Sequence, residues 1–187
     1  MPWCLLILAA AAPFLMAQEA RRPLLILQHF PGEGAAVIAA SRNIEAFPFY
    51  SEPGGAEPAG GIPLFKGEIL DWEEPRTVVY RFGEAEILPS TGEIEVEFVR
   101  LEGPRILGDR VETVRFEPGQ KLQVLSYQSE GFYYFRHESR VLSMFAENMR
   151  ILREPETETW IHLTNSAGPV GWLRIDGKDL RVVDREF

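Results

Sequence analysis

The sequence predicts a mainly β fold made of one or two small barrels or sandwiches. Its 14 prolines and 16 glycines are spread along the chain, so few long stretches lack one. Proline is disfavoured in helix interiors and in central strands, which indicates many short elements. Between these breaks, several runs alternate apolar and polar side chains with the period of two that is typical of strands. With 45% hydrophobic residues, the chain has the composition of an ordinary globular protein.

Residues 1–17 form an uncharged apolar segment that predicts a signal peptide. The segment ends in Ala17 and is shorter than the about 20 apolar residues that a membrane-spanning helix needs. No Lys or Arg precedes it, so an uncleaved anchor and a misassigned start codon are alternatives. Cleavage would give a periplasmic or extracellular protein with no membrane insertion. It would also remove Cys4, the only cysteine, and leave a chain without disulfides.

The net charge of −9 disfavours two classes of partner. An acidic protein is repelled by the phosphates of nucleic acids and by anionic lipid headgroups. We therefore expect no nucleic-acid partner, and we interpret the charge mainly as a source of solubility.

The first half of the chain contains four candidate strands. Three are runs of apolar, β-branched or aromatic residues, at 24–27, 35–39 and 76–82. The fourth, 93–99, alternates glutamate with apolar residues and so places Ile94, Val96 and Phe98 on one face. This pattern predicts a strand with one buried face and one face in water.

The second half contains a predicted hairpin and three later strands. Residues 121–127 alternate, 132–137 are mostly aromatic, and Glu130-Gly131 between them is a turn signal. The later strands are expected at 160–163, 171–175 and 180–183.

Residues 139–153 leave two interpretations open. Apolar residues recur there at three- and four-residue steps, which is typical of one short helix near 140–152. No proline interrupts this pattern before Pro155. The alternative is two strands joined at Glu147-Asn148.

Two domains are expected after the signal peptide. The stretch 101–105 contains Gly103 and Pro104 and lies near the middle of the remaining chain. It would divide an N-terminal β domain over 24–100 from a C-terminal β domain over 110–187. The Gly- and Pro-rich stretch 53–61 is interpreted as a long loop inside the first domain.

Four C-terminal features follow one another in order: Trp160-Ile161-His162-Leu163, Gly168, Gly171-Trp172-Leu173 and 179–183. Together they resemble the end of bacterial Src homology 3-like (SH3-like) domains. In that family an aromatic strand precedes a glycine-containing turn, a Gly-Trp pair opens the next strand, and a short turn leads to a closing strand. Glycine permits the close approach of a barrel corner, and tryptophan fills a small core.

Earlier stretches resemble the front of such a domain. These are 43–55 and 61–70, with a Lys66-Gly67-Glu68 turn, and 117–125 is similar to the second of them and would begin a second copy. The resemblance implies one or two small SH3-like barrels and is strongest over 117–183. It also implies contact with cell-wall peptide or glycan, or with another envelope protein, through loops and aromatic side chains.

Candidate catalytic and metal-binding residues are sparse. His29, His137 and His162 lie far apart in sequence, and we expect each to be half-buried on a strand, although pairing of their strands would bring His137 and His162 together. A zinc site would need carboxylates in place of cysteines. No Gly-x-Ser-x-Gly motif occurs, and the alternating glutamates are expected to form a solvated face. We therefore expect no catalytic residues, metal or cofactor.

The aromatic residues are the best candidates for binding. With one histidine, the candidate site residues are Tyr50, Phe132, Tyr133, Tyr134, Phe135, His137, Trp160 and Trp172. Consecutive side chains on a strand point to opposite faces, so an outward pair, Tyr133 and Phe135, would form a groove for a peptide or a glycan. In the other interpretation this pair lies in the core or is covered by residues 139–153. Trp172 is expected to fill the core.

These observations predict an exported, non-enzymatic binding or scaffolding module of the bacterial cell envelope. Acidic rim residues, Glu52, Glu130 and Glu138, would favour cationic partners. One alternative is an envelope hydrolase that uses a carboxylate pair or a His/carboxylate site on a β scaffold. Another is an accessory domain with a purely structural role.

Overall fold

The computed structural model describes residues 21–32, 37–89, 92–165 and 168–183. Within them the chain forms fifteen strands and one 3-10 turn, so the mainly β prediction is confirmed. All strand pairs among them are antiparallel. The predicted signal peptide over 1–17 lies outside the described residues.

The first eight strands are β1 (Leu25–Leu27), β2 (Val37–Ala40), β3 (Ile44–Phe49), β4 (Gly60–Leu64), β5 (Trp72–Arg81), β6 (Gly83–Ile87), β7 (Glu93–Glu102) and β8 (Arg105–Arg115). The others are β9 (Lys121–Tyr127), β10 (Phe132–His137), β11 (Arg140–Phe145), β12 (Met149–Arg153), β13 (Glu156–Asn165), β14 (Gly168–Ile175) and β15 (Leu180–Val183).

One core is built from the two ends of the chain. A four-stranded sheet has the order β1-β5-β13-β14, and two-stranded sheets form from β2 with β15 and from β3 with β4. Their apolar residues share one cluster, which includes Ile38, Phe47, Ile161, Leu173 and Leu180. Strand pairing therefore does not follow the predicted division into 24–100 and 110–187, because β5 pairs with β13 and β2 with β15.

The middle of the chain forms a seven-stranded sheet with the order β12-β6-β9-β10-β11-β7-β8. Its strands lie between β5 and β13 in sequence, so the sheet is inserted between two neighbours of the first sheet. The stretch 101–105, expected as a divider, is the tight turn of the β7–β8 hairpin, where Glu102 pairs with Arg105. On β7, Ile94, Val96 and Phe98 are buried and the intervening glutamates are exposed, as the alternation predicts.

The predicted hairpin is confirmed as β9 and β10. Its turn has two left-handed residues, Glu130 with φ 48° and Gly131 with φ 82°. The Phe132 amide donates to the Ser129 carbonyl across the turn. This is the geometry that suits the twist of an antiparallel hairpin and favours glycine.

Residues 139–153 form two strands, β11 and β12, joined by the 3-10 turn Ala146–Asn148. The helical interpretation is wrong, and the two-strand alternative is confirmed. Four consecutive residues of β11, 141–144, are buried because neighbouring layers cover both faces of that strand. Apolar residues on such a strand need not alternate, and their spacing can imitate that of a helix.

Segment 25–32 joins the two sheets. β1 pairs with β5, and beyond it the Gln28 amide donates to the Pro104 carbonyl and the Gly32 amide to the Gln128 carbonyl. A third apolar cluster forms at this joint, where Leu25 and Phe82 pack against residues of the seven-stranded sheet that include Leu125 and Tyr134. Among the described residues there are therefore two separate main cores, and a third apolar cluster lies where the two sheets meet.

Gly83 lies where the chain leaves the first sheet, against the segment that returns to it. A Cβ atom at Gly83 would lie 2.7 Å from Pro155 N and 3.0 Å from Glu154 C. Both are backbone atoms, so no rotamer change relieves the contact. The outgoing and returning connections therefore pack too closely for a methyl group.

We expect Gly83→Ala to lower the free energy of unfolding by about 2 kcal/mol, the usual scale for overpacking. Urea denaturation measures this change. Gly92→Ala is the matched control, because a Cβ there meets no described atom within 4 Å. It should change stability by less than about 0.5 kcal/mol. Equal losses in the two variants would contradict the close packing at Gly83.

Candidate binding surface

The structure divides the predicted site residues between two places. Five of them, Phe132, Tyr133, Tyr134, Phe135 and His137, lie along β10 in the seven-stranded sheet. The other three, Tyr50, Trp160 and Trp172, come together at the four-stranded sheet.

Most of the β10 aromatic residues pack in or against the apolar clusters of the seven-stranded sheet. Phe135 is 0% exposed and Tyr134 is 7% exposed, and they belong to different apolar clusters on the two faces of the sheet. Tyr133 packs against the first of these clusters, and its ring lies 6.1 Å from that of Phe135. The outward pair of Tyr133 and Phe135 is therefore not formed, because both faces of β10 are covered. Phe132 alone of the four is exposed.

Trp160 is the buried tryptophan of the other group. It is 2% exposed, and the Tyr50 ring contacts it edge-on at 5.0 Å between centroids. Tyr50 and Trp172 exchange two backbone hydrogen bonds of 2.9 Å, which fixes the loop after β3 against β14. The core position expected for Trp172 is wrong, since Trp172 is half-buried and Trp160 has that role.

The Trp172 ring contacts a histidine and an arginine side chain. The His162 ring is 4.9 Å from it, and the Arg76 guanidinium carbon is 5.2 Å from its centroid. Arg76 is 9% exposed and donates to Glu74 Oε2 at 2.8 Å and to the Pro75 carbonyl at 3.0 Å. These contacts fix the guanidinium over the indole ring and offset its charge.

A shallow groove of about 560 Å³ opens beside this ring. The residues that line it, called here the Trp172 groove, are 23–26, Pro53, Arg76, Gly103, Pro104 and Trp172. Both sheets contribute, since 103–104 form the β7–β8 turn. Sequence reasoning missed Arg76 and the prolines, because Arg76 begins an ordinary β-branched run and the prolines have the pattern of simple turns.

A hydrogen-bonded group lies on the same sheet as the groove. Tyr80 donates to Glu158 Oε2 at 2.9 Å, and Arg174 donates to Glu158 Oε1 at 3.0 Å. Burial, with the neighbouring Glu158 carboxylate, raises the pKa of the Tyr80 hydroxyl well above its usual range. Both carboxylate oxygens of Glu158 therefore accept a hydrogen bond from a neighbouring strand.

The three histidines have separate surroundings. His137 hydrogen-bonds Gln120 at 2.8 Å in the seven-stranded sheet, whereas His162 lies beside Trp172 in the other sheet. His29 lies at the joint, with Nε2 2.9 Å from Ser126 Oγ. Burial lowers the pKa of His29 to about 4, and the Phe30 backbone only partly opposes this. In the part of the chain that is described, no group of three His, Cys, Asp or Glu residues is placed to hold a metal ion.

The three predicted rim carboxylates do not share a rim. Glu52 lies in the turn before Pro53, near the Trp172 groove. Glu130 is in the β9–β10 turn, and Glu138 is in the β10–β11 turn at the other end of the same strand. Of the three, only Glu52 is placed beside the groove.

Comparison with models of known protein families, with curated proteins and with solved structures finds no match. Among the described residues, none of the helical segments has the length and hydropathy needed to span a lipid bilayer.

The two tryptophans should differ in their effect on stability. We expect Trp160→Ala to lower the free energy of unfolding by about 3–5 kcal/mol, because it opens a cavity under Tyr50. Trp172→Ala should cost about 1–2 kcal/mol, since part of that ring already faces solvent. Urea denaturation followed by far-UV circular dichroism measures both changes, and similar losses would contradict the assigned burial.

The stability of the protein should depend on pH through His29. The unfolded chain binds a proton below about pH 6.5, whereas the folded chain resists it until about pH 4. Stability should therefore fall by roughly 1–3 kcal/mol as the pH drops through this window. His29→Gln should reduce the fall, and His137→Gln should retain it. Equal pH dependence of the wild type and His29→Gln, measured by denaturation at several pH values, would contradict this.

Proposed function

We propose that the protein is a non-enzymatic binding module and that the Trp172 groove holds an extended peptide segment of a partner. The observation that carries this proposal is the half-buried Trp172 ring, positioned by His162 and Arg76 beside a shallow, largely apolar groove. A fixed aromatic ring offers a large contact area and loses little conformational entropy on binding.

The groove suits a proline-containing partner. Pro23, Pro53 and Pro104 line it, so its walls are stiff as well as apolar. Extended proline-containing segments dock on aromatic grooves because their conformation is formed before binding. Such a segment would belong to another protein of the envelope.

Charge favours a basic residue near the docked segment. Glu74 offsets Arg76 while its own side chain is 53% exposed, and Glu52 is exposed beside Pro53. The margin of the groove therefore presents carboxylates, although its interior contains a guanidinium. A Lys or Arg next to the proline of the partner would meet these carboxylates.

The titratable groups support binding more than hydrolysis. The hydrolase alternative requires carboxylates, or His137 and His162, to converge in one cleft. Glu84 instead pairs with Lys121, and Glu86 with Arg150. The Ser126 and His29 pair resembles part of a nucleophilic site, but Ser126 is 1% exposed and no carboxylate of the described residues pairs with His29.

Export belongs to the same proposal. It rests on the apolar segment at 1–17, and an envelope location would bring the groove to cell-wall peptides and envelope proteins. Fractionation of cells that express the full chain would test the location separately from binding.

The binding test uses defined probes and the full chain. Fluorescently labelled peptides with a Pro-containing core and a flanking Lys should be captured, whereas purified peptidoglycan serves as the test for the hydrolase alternative. Trp172→Ala should weaken capture about tenfold or more. Phe132→Ala is the control, because it removes an aromatic ring, 39% exposed, from the other sheet.

Two outcomes would contradict the proposal. One is capture that is equal in the wild type and Trp172→Ala. The other is release of soluble fragments from peptidoglycan, which would support the hydrolase instead.

A further inference from the structure

A second cleft lies at one end of the seven-stranded sheet and shares no lining residue with the Trp172 groove. Its volume is about 670 Å³, within the range of small-molecule sites. Four arginines line it, and we call it the arginine cleft: Arg100, Arg110, Arg136 and Arg140. They come from β7, β8, β10 and β11, so tertiary structure gathers them.

Aromatic rings hold three of these guanidinium groups. Arg110 and Arg140 lie over the same ring, with their guanidinium carbons 5.6 Å and 5.3 Å from the Phe98 centroid. Arg136 lies 4.9 Å from the centroid of Phe82. Contact with a ring restricts a guanidinium before any ligand arrives, which reduces the entropy lost on binding.

The positive charge of the cleft is only partly offset. Arg100 pairs with Glu102, and Arg110 pairs with Glu112. The guanidinium groups of Arg136 and Arg140 make no ion pair within 4.0 Å with a carboxylate of the described residues. Their contacts are instead with the aromatic rings.

The sign of the cleft opposes that of the chain. Its lining residues alone contain four arginines and two carboxylates, Asp109 and Glu138, a balance of +2 in a protein whose net charge is −9. Glu102 and Glu112, outside the lining, offset Arg100 and Arg110, so the cationic excess belongs to Arg136 and Arg140. A positive concave site in an acidic protein attracts anions to one place.

We propose that the arginine cleft binds a small organic anion with two or more phosphate or carboxylate charges. Arg110 and Arg140 are its main ligands, because both line the cleft, both are held by contact with Phe98, and a guanidinium can donate paired hydrogen bonds to an oxyanion. Arg136 contributes from the neighbouring strand. This site is independent of the peptide function proposed for the Trp172 groove.

The test measures binding of two probes to the full chain at low ionic strength. Calorimetric titrations with inorganic pyrophosphate and with citrate should detect binding of at least one. Stronger binding of pyrophosphate assigns the site to phosphate groups, and stronger binding of citrate assigns it to carboxylates. Absence of binding by both probes would overturn the proposal.

Variants locate the site. Arg140→Gln and Arg110→Gln should each weaken binding about tenfold or more. Arg150→Gln is the matched control, because Arg150 is an exposed arginine on β12, at the opposite edge of the sheet. There it pairs with Glu86 of β6. It should bind as the wild type does.

Equal weakening in all three variants would mean that only general charge attracts the probes, and it would overturn the site. All three substitutions are at exposed side chains, and circular dichroism of each variant checks that it is folded. Peptide capture by the Trp172 groove should be unchanged in them, so the two proposals fail or succeed separately.

Discussion

The architecture depends on the contact between segment 25–32 and both sheets. β1 extends the four-stranded sheet through β5, and the residues that follow it hydrogen-bond to the seven-stranded sheet at Pro104 and Gln128. The two main cores are separate clusters, and the smaller apolar cluster around Leu25 connects them. Without this contact, the inserted sheet would be attached mainly by the connections that flank it.

The candidate groove is a consequence of that joint. One wall is residues 23–26 at β1, and another is the β7–β8 turn at Gly103 and Pro104. The remainder is Pro53 of the β3–β4 loop, with Arg76 of β5 and Trp172 of β14. Since the walls come from both sheets, a change in their relative position would alter the groove. His29 lies in the same joint, with its ring beside Ser126 of the seven-stranded sheet.

The charged residues of the exposed ion pairs and those of the arginine cleft have different kinds of partner. Several carboxylates pair with Arg or Lys, as Glu84 does with Lys121 of the neighbouring strand, and exposed pairs of this kind contribute little to stability. The arginine cleft differs because Arg136 and Arg140 lie over rings, outside such pairs. Clustering at the end of one sheet gives these residues a local field that the overall composition conceals.

Sequence alone determined the mainly β class, the buried face of β7 and the position of the turn at Glu130 and Gly131. These are local properties, because alternation and turn chemistry depend on residues that are close in the chain. It also selected Trp172 and Tyr50 for the candidate surface.

Only the tertiary structure decided which strands are neighbours, which tryptophan is buried and where the arginines gather. A period of two shows which side chains share a face, but it does not show whether another layer covers that face. For this reason Phe135 lies in a core although it was a candidate for an exposed groove, and β11 has the apolar spacing of a helix. Pairing of β5 with β13 joins residues separated by the whole inserted sheet, and no local pattern encodes such a contact.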